Sequence, residues 1–393
     1  MNQVLAGVRV LDFGRFIAAP WAGAILADMG AEVIRVEKRE GGEDRYVQPV
    51  APSGGATFLQ CNRNKQSMTL DTTTEEGKGI LRQLVATADI VIANMPDAAM
   101  RANGLDYDAL KAVKPDIILA SATAFGNGGP YSDKVGFDGV GQVMSGGVWR
   151  SGLPEQPIRS VVPYVDFGTA MSLEIGTMMA LFHKRATGQG QHVEAALLPV
   201  ALMMTNGMLI DQAVLNSNRP RVVNAGTAAG PCDLYKLSDG WMLMQVSGQP
   251  MFKRWCRLMV REEWFTDPRF LTDELRADHG EILNGAMQAW CDGKTIADAV
   301  ALLDGARIPG SPLLTPQGAI DDPHVQAMGF LKSMDYPGMP VSAPLIETPF
   351  RLSETPGSIR MRAPTLGEHT DEVLGELGFD AAAIAGLRER AIV

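Results

Sequence analysis

The chain has 393 residues, 46% hydrophobic and 20% charged; this balance excludes a disordered chain and leaves room for two folded domains. Acidic residues outnumber basic ones 45 to 35, and the pI near 5.1 argues against a general nucleic-acid binder, whose phosphate contacts need a basic surface. Cys61, Cys232, Cys256 and Cys291 form no CxxC or CxxH pattern, so neither a metal site nor a disulfide framework is expected. No basic region followed by an apolar leader and no uninterrupted apolar run of roughly 18 residues occurs, so the expected location is cytoplasmic, without a membrane partner.

In chain order, residues 8–13 read as a short strand ending at Gly14, residues 18–29 as a helix stopped by Gly30, and residues 32–37 as a second strand. A strand, helix, strand unit of this kind favours a parallel sheet with ligand loops at the carboxyl ends of its strands. The first such loop, Gly14-Arg-Phe-Ile-Ala-Ala-Pro, is not a GxGxxG dinucleotide loop, which disfavours NAD. Lys38 and Arg39 close the second strand, either as solvated cations or as phosphate ligands. Residues 67–71 read as a third strand, 75–87 as a helix and 89–94 as a fourth strand, with Asn94 at its end. A helix starts at Leu105, and a strand from Asp116 opens into the loop Gly126-Asn-Gly-Gly-Pro-Tyr. The alternation is that of a doubly wound α/β domain.

The stretch Arg159-Ser-Val-Val-Pro-Tyr-Val-Asp-Phe-Gly-Thr runs apolar and β-branched into Asp166, then passes Gly168 into an apolar segment read as a helix over residues 170–182. Asp166 is therefore expected at a strand-to-helix junction. There it could cap free N–H groups or serve as a nucleophile, and backbone N–H groups near Gly168 could steady an oxyanion. A basic turn from Lys184 leads to a strand over 193–196 and a Met-rich helical run over 197–214, which reads as adaptable core or interface. Residues 216–230 are polar and glycine-bearing, a linker. A small α+β domain is expected over 231–308, with a hairpin at Ser238-Asp-Gly and helices over 251–261, 276–292 and 295–305. Proline-rich residues 309–355 read as a return linker, and residues 367–378 carry helical spacing.

Several segments together resemble the class III CoA-transferases, the CaiB/BaiF family: Leu5-Ala-Gly-Val-Arg-Val-Leu-Asp-Phe, Ala27-Asp-Met-Gly-Ala-Glu-Val-Ile-Arg-Val-Glu, Asn62-Arg-Asn-Lys-Gln-Ser, Gly126-Asn-Gly-Gly-Pro-Tyr with Gly136-Phe-Asp, Gly188-Gln-Gly-Gln and Leu366-Gly-Glu-His-Thr. The resemblance implies a Rossmann-like large CoA-binding domain built from both chain ends, residues 1–215 and 356–393, with the small domain inserted between them and two subunits interlocked as a homodimer. It implies that Asp166 attacks an acyl-CoA thioester, giving a mixed anhydride and then an aspartyl-CoA thioester that a carboxylic acid resolves. Splitting the exchange this way needs neither ATP nor metal. It further implies that Arg15, Phe16, Ile17 and Ala18 line the coenzyme A arm, and that Lys38, Asn94, Arg101 and Lys134 contact its nucleotide and phosphates. Asp138 is expected to line the site, or to cap a turn.

Two departures bear on substrate. Ile17 stands where the formyl-CoA transferase branch has glutamine, and the glycine-rich flap of that branch is not reproduced, Val246-Ser-Gly-Gln-Pro being the nearest candidate. An acyl group larger or more apolar than formyl or oxalyl is expected. A 2-methylacyl-CoA racemase would carry histidine where Phe137 stands, and phenylalanine cannot carry a proton. A non-catalytic CoA-binding protein on the same fold is the reading from another class.

Overall fold

The computed structural model describes residues 3–51 and 54–393. It divides into two compact units, one of residues 1–147, 160–216 and 323–393 and one of residues 148–159 and 217–322.

The first unit is a mixed α/β fold around six parallel strands: β1 (Arg9–Asp12), β2 (Glu32–Glu37), β3 (Lys65–Thr69), β4 (Ile90–Ala93), β5 (Ile118–Thr123) and β6 (His192–Ala196). Their spatial order is β6-β5-β4-β1-β2-β3. The strands of the sheet's middle are apolar runs because both faces are covered. On one face helix α1 (Ala18–Asp28) joins Val10, Val33, Ile90, Ile92 and Leu173 in one core. On the other, Leu11, Ile34, Met68, Val91 and Leu119 meet Val373, Leu374, Ile384 and Leu387 from the chain's C-terminal helices. The chain travels from β1 outward to β3, then returns to the other side of β1 for β4. Ligands of such sheets bind beyond the carboxyl ends of the strands where the order reverses, and here that point lies between the loops after β1 and β4.

Three further helices shape that region: α2 (Asp138–Met144), α3 (Tyr164–Thr187) and α4 (Leu197–Leu215). Helix α3 ends at Gly188, in the left-handed conformation at φ 75°, with Lys184 and Arg185 in its last turn, where cations suit the helix dipole. Its start differs from expectation. The short strand pair Gly152–Leu153 and Gln156–Pro157 ends before residue 158, and residues 158–163 are not strand: Val161 and Val162 are exposed, and the helix begins at Tyr164, not at residue 170. β-Branched residues favour strands only where a neighbouring strand is present to pair and pack with. Helix α4 is long and apolar enough, at mean hydropathy 1.3, to cross a membrane by length and composition alone. It buries Leu197 and Ala201 against Val165, while Met203, Ile210 and Val214 are exposed.

Three buried cations of this unit are paired with carboxylates, as burial demands. Lys65 meets Asp12 at 2.6 Å, Arg63 meets Asp28 at 2.6 Å and Arg35 meets Asp44 at 3.0 Å.

The second unit has a three-stranded antiparallel sheet of Cys232–Leu237, Gly240–Gln245 and Gly310–Pro312. Helices Gln249–Leu258, Gly280–Cys291 and Ile296–Gly305 pack on it around Phe252, Trp255, Phe270 and Leu283. It takes residues 148–159, read from sequence with the large domain, and Gly310–Pro312, read as return linker. Both belong there through backbone pairing: Ser151 bridges Val222, and Gly310 pairs with Met244. The remainder of the stretch read as linker carries the antiparallel pair Leu331–Met334 and Ala343–Ile346, within the first unit.

Candidate active site

The loop after β1 is held rigidly by side chains from around it. Asp12 accepts the N–H of Gly14 at 2.7 Å, and Arg35 donates to the Gly14 carbonyl at 3.0 Å. A Cβ on Gly14 would fall 2.7 Å from both Asp12 Oδ1 and Ala19 Cβ, so only glycine fits. Phe16 follows at φ 62°, a strained conformation for a bulky side chain and one that collects at functional sites. From the end of β4, Asn94 accepts the Arg15 N–H at 2.7 Å and donates to the Arg15 carbonyl at 2.8 Å.

These loops open on a cleft of about 250 Å³. Arg15, Phe16, Ile17, Ala18, Asn94, Lys134, Phe137 and Asp166 all line it, with Asp97 and Leu197. Phe16 and Phe137 meet edge to face, ring centroids 5.4 Å apart, making one apolar wall. Lys38 and Arg101 do not line the cleft, but each is one ion pair from a group that is near or in it. Glu43 bridges Lys38 at 3.0 Å and Arg15 at 3.4 Å, and Arg101 pairs with Asp97 at 3.6 Å. Lys134 lies over the Tyr131 ring at 3.9 Å. Asn94 lines the cleft and its amide also holds the Arg15 backbone, which steadies the loop.

Asp166 sits half-buried in the first turn of α3. Among the described residues no hydrogen-bond donor or cation reaches its carboxylate oxygens. Burial, then the negative charge of Asp138, push its pKa up to about 7. An unpaired carboxylate shifted this way in a cleft is the pattern of a functional group rather than of a structural ion pair. Gly168 cannot supply the expected oxyanion donor, because it lies inside α3, where its N–H belongs to the helix ladder. Its lack of a side chain serves packing instead: a Cβ there would fall 2.4 Å from Met204 Cε and 3.0 Å from Val200 Cγ1 of α4.

Asp138 does not line the cleft. It is buried behind Asp166, and Oδ2 accepts the N–H groups of Val165 at 2.8 Å and Asp166 at 3.1 Å. Of the two roles read for it, the structure gives it a capping one, for a helix far along the chain. Gln142, which donates to Asp138 Oδ1, was missed from sequence; its position four residues after Asp138, one helical turn on, is the signal that could have found it. Among the described residues no group of three or more His, Cys, Asp or Glu side chains is placed to hold a metal ion.

Fold and cleft together define an α/β protein with a ligand crevice at the reversal point of a parallel sheet. The chain belongs to CoA-transferase family III, whose sequence profile matches residues 5–370. The succinate–glutarate CoA-transferase of Agrobacterium fabrum is 34% identical over 390 residues, covering 95% of each chain. The succinyl-CoA–D-citramalate CoA-transferase of Chloroflexus aurantiacus is 31% identical, covering 99% of this chain and 98% of that one. A crystal structure of a CaiB/BaiF family protein from Brucella suis superposes with a TM-score of 0.83 at 31% identity, over 96% of this chain and all of the other.

Proposed function

We propose that the protein moves CoA from an acyl-CoA thioester to a free carboxylic acid, with Asp166 as the nucleophile. The observation that carries this reading is the unpaired, half-buried Asp166 carboxylate facing the cleft with a pKa near 7. A carboxylate oxygen attacks the thioester carbonyl, the C–S bond breaks, and CoA leaves as thiolate from a mixed anhydride. The thiolate then attacks the aspartyl carbonyl of that anhydride, releasing the donor acid and leaving an aspartyl-CoA thioester. The acceptor carboxylate attacks this thioester, and the freed thiolate takes the new acyl group, restoring Asp166. Each step exchanges acyl groups of similar energy. The cleft's apolar walls restrict water, which would otherwise hydrolyse both intermediates.

Arg15 and Lys134 on the rim suit the nucleotide phosphates, with Lys38 and Arg101 behind them. The strand order supports a Rossmann-like layout, with the unit of residues 1–147, 160–216 and 323–393 as the CoA-binding domain. Acids like the succinate and glutarate in the name of the Agrobacterium relative are the proposed substrates. The Phe16, Ile17 and Phe137 wall favours their chains over formate and oxalate. A homodimer, interlocked as the resemblance implies, is supported by Met171, Ile175, Met179 and Phe182, which expose an apolar stripe along α3.

The test is a donor-by-acceptor exchange matrix with wild type and Asp166→Ala, joined to hydroxylamine trapping after incubation with acyl-CoA. Exchange must vanish in the variant, and the trap must mark Asp166 in the wild type. Exchange that survives Asp166→Ala overturns the mechanism, and a protein that binds acyl-CoA without being marked is a binder and not a transferase.

A further inference from the structure

A helix leaves its first N–H groups without partners, and the residue just before it normally supplies an oxygen to cap them. Helix α3 lacks that device, because its N-cap residue is Pro163 and no local side chain caps it. The cap comes instead from Asp138, 28 positions before Asp166, which accepts the N–H groups of both Val165 and Asp166. Asp138 is 8% exposed and Gln142 is fully buried. Gln142 donates to Asp138 Oδ1, accepts the Ser160 N–H at 3.0 Å and reaches the Ser160 and Val162 carbonyls at 3.4 Å each. A Cβ on Gly141 would stand 2.8 Å from Val165 Cγ1, so glycine is what allows α2 to approach this turn.

We propose that Asp138 is a positioning residue for Asp166: clasped by Gln142, it caps α3 from outside the helix and fixes the turn that aims the nucleophile into the cleft. The inference rests on Asp166 being the nucleophile. Burial anchors Val165 in this turn, but the residues leading into it, Val161 and Val162, are exposed. The clasp also sets a negative charge beside the Asp166 backbone. Tyr164 on the same helix and Arg15, Lys134 and Asp97 around the cleft are the other titratable or charged groups near Asp166. Of all these, Asp138 is the one that adds to burial in raising the Asp166 pKa.

Asp138→Asn tests the clasp. It keeps the shape and one acceptor for α3 but turns an amide NH₂ toward the Gln142 NH₂, donor against donor. The double change Asp138→Asn with Gln142→Glu restores the bond between the two side chains, since the new carboxylate accepts both from the amide at 138 and from the Ser160 N–H, at the loss of the long 3.4 Å contacts to the Ser160 and Val162 carbonyls. The single variant should lose roughly 10- to 100-fold in kcat, the scale of a misplaced reacting group, with KM for acyl-CoA within about 3-fold. The acid limb of its rate profile should move to lower pH as the neighbouring charge is lost. The double variant should regain at least about 10-fold in kcat.

A folded Asp138→Asn protein with wild-type kcat and acid limb overturns the proposal. So does a rate loss matched by lost folded fraction, with no shift of the acid limb. If Asp138→Asn does not fold, Gln142→Met decides: a loss of about 3-fold or more in kcat with native stability supports the clasp, and a wild-type kcat overturns it. Asp166→Ala run alongside separates the two readings. Exchange that persists there refutes the nucleophile, whereas exchange lost there but intact in the folded clasp variants refutes only the clasp.

Discussion

Replacing Asp166 by asparagine should stabilise the protein, and do so increasingly as the pH rises. The carboxyl has an ordinary pKa of 3.8 when unfolded and is pushed up to about 7 when folded. Between these values the folded state holds a proton that the unfolded state has released, so stability falls as pH rises from about 4 to about 7 and stays reduced above that. At ~1.4 kcal/mol per pH unit the full penalty above neutrality would be about 4 kcal/mol. Asp166 still touches solvent in the cleft, and screening brings the figure to about 2 kcal/mol. For a chain of 393 residues that is about 2–3 °C in Tm. Asparagine keeps the shape and cannot ionise, so it escapes the penalty. Differential scanning fluorimetry of both proteins across pH 5.5 to 8 reads the effect: Asp166→Asn should melt higher by about 2–3 °C at pH 8 and by about half that at pH 5.5. A gap that is constant with pH, or an Asp166→Asn protein that melts lower at pH 8, would refute the claim that burial and Asp138 disfavour the ionised carboxylate. A gap that widens with pH makes the destabilised group also the reactive one, a common trade at active sites.

The same shift predicts that kcat/KM for acyl-CoA rises through about pH 7 as Asp166 ionises, so a profile flat from pH 5.5 to 8 contradicts it. Asn94→Ala removes both bonds that hold the Arg15 backbone; it should cost about 1–2 kcal/mol of stability and raise KM for acyl-CoA several-fold, read by calorimetry and initial rates. Glu43→Gln frees Arg15 and Lys38 from their shared partner, so CoA should bind about 2- to 5-fold more tightly at low salt and with little difference near 1 M salt, measured by isothermal titration. Ile175→Glu puts a charge in the exposed stripe of α3, and sedimentation should show the proposed homodimer weakened by at least about 10-fold; a wild type that sediments as a monomer, or a dimer unchanged by the substitution, refutes that interface.

Local pattern made much of this molecule readable. The strands of residues 8–13 and 32–37 and the helix between them are short-range periodicities, and they appear where expected as β1, α1 and β2. The stretch around Asp166 stands out in the sequence because a lone carboxylate follows apolar residues there. Arg15, Phe16, Ile17, Ala18, Asn94, Lys134 and Asp166 come from four separate segments, and the strand order gathers them around one cleft. Nothing local in the sequence marks Lys65, Arg63 and Arg35 as buried, yet they lie against Asp12, Asp28 and Asp44, because a charge's burial depends on partners distant along the chain.

Asp166 shows the division most clearly. Composition and apolar periodicity alone determined the α/β alternation, the absence of a dinucleotide loop and a carboxylate beside a helix, since these depend on neighbours within a turn or a strand. Tertiary structure decided that the helix starts at Tyr164, that Gly168 is a packing contact, that Asn94 steadies the β1 loop, and that Asp138 caps a helix 28 positions on. In each case the partner group comes from a remote segment. A backbone N–H or a buried carboxylate must be satisfied, but only the folded chain determines which remote group satisfies it.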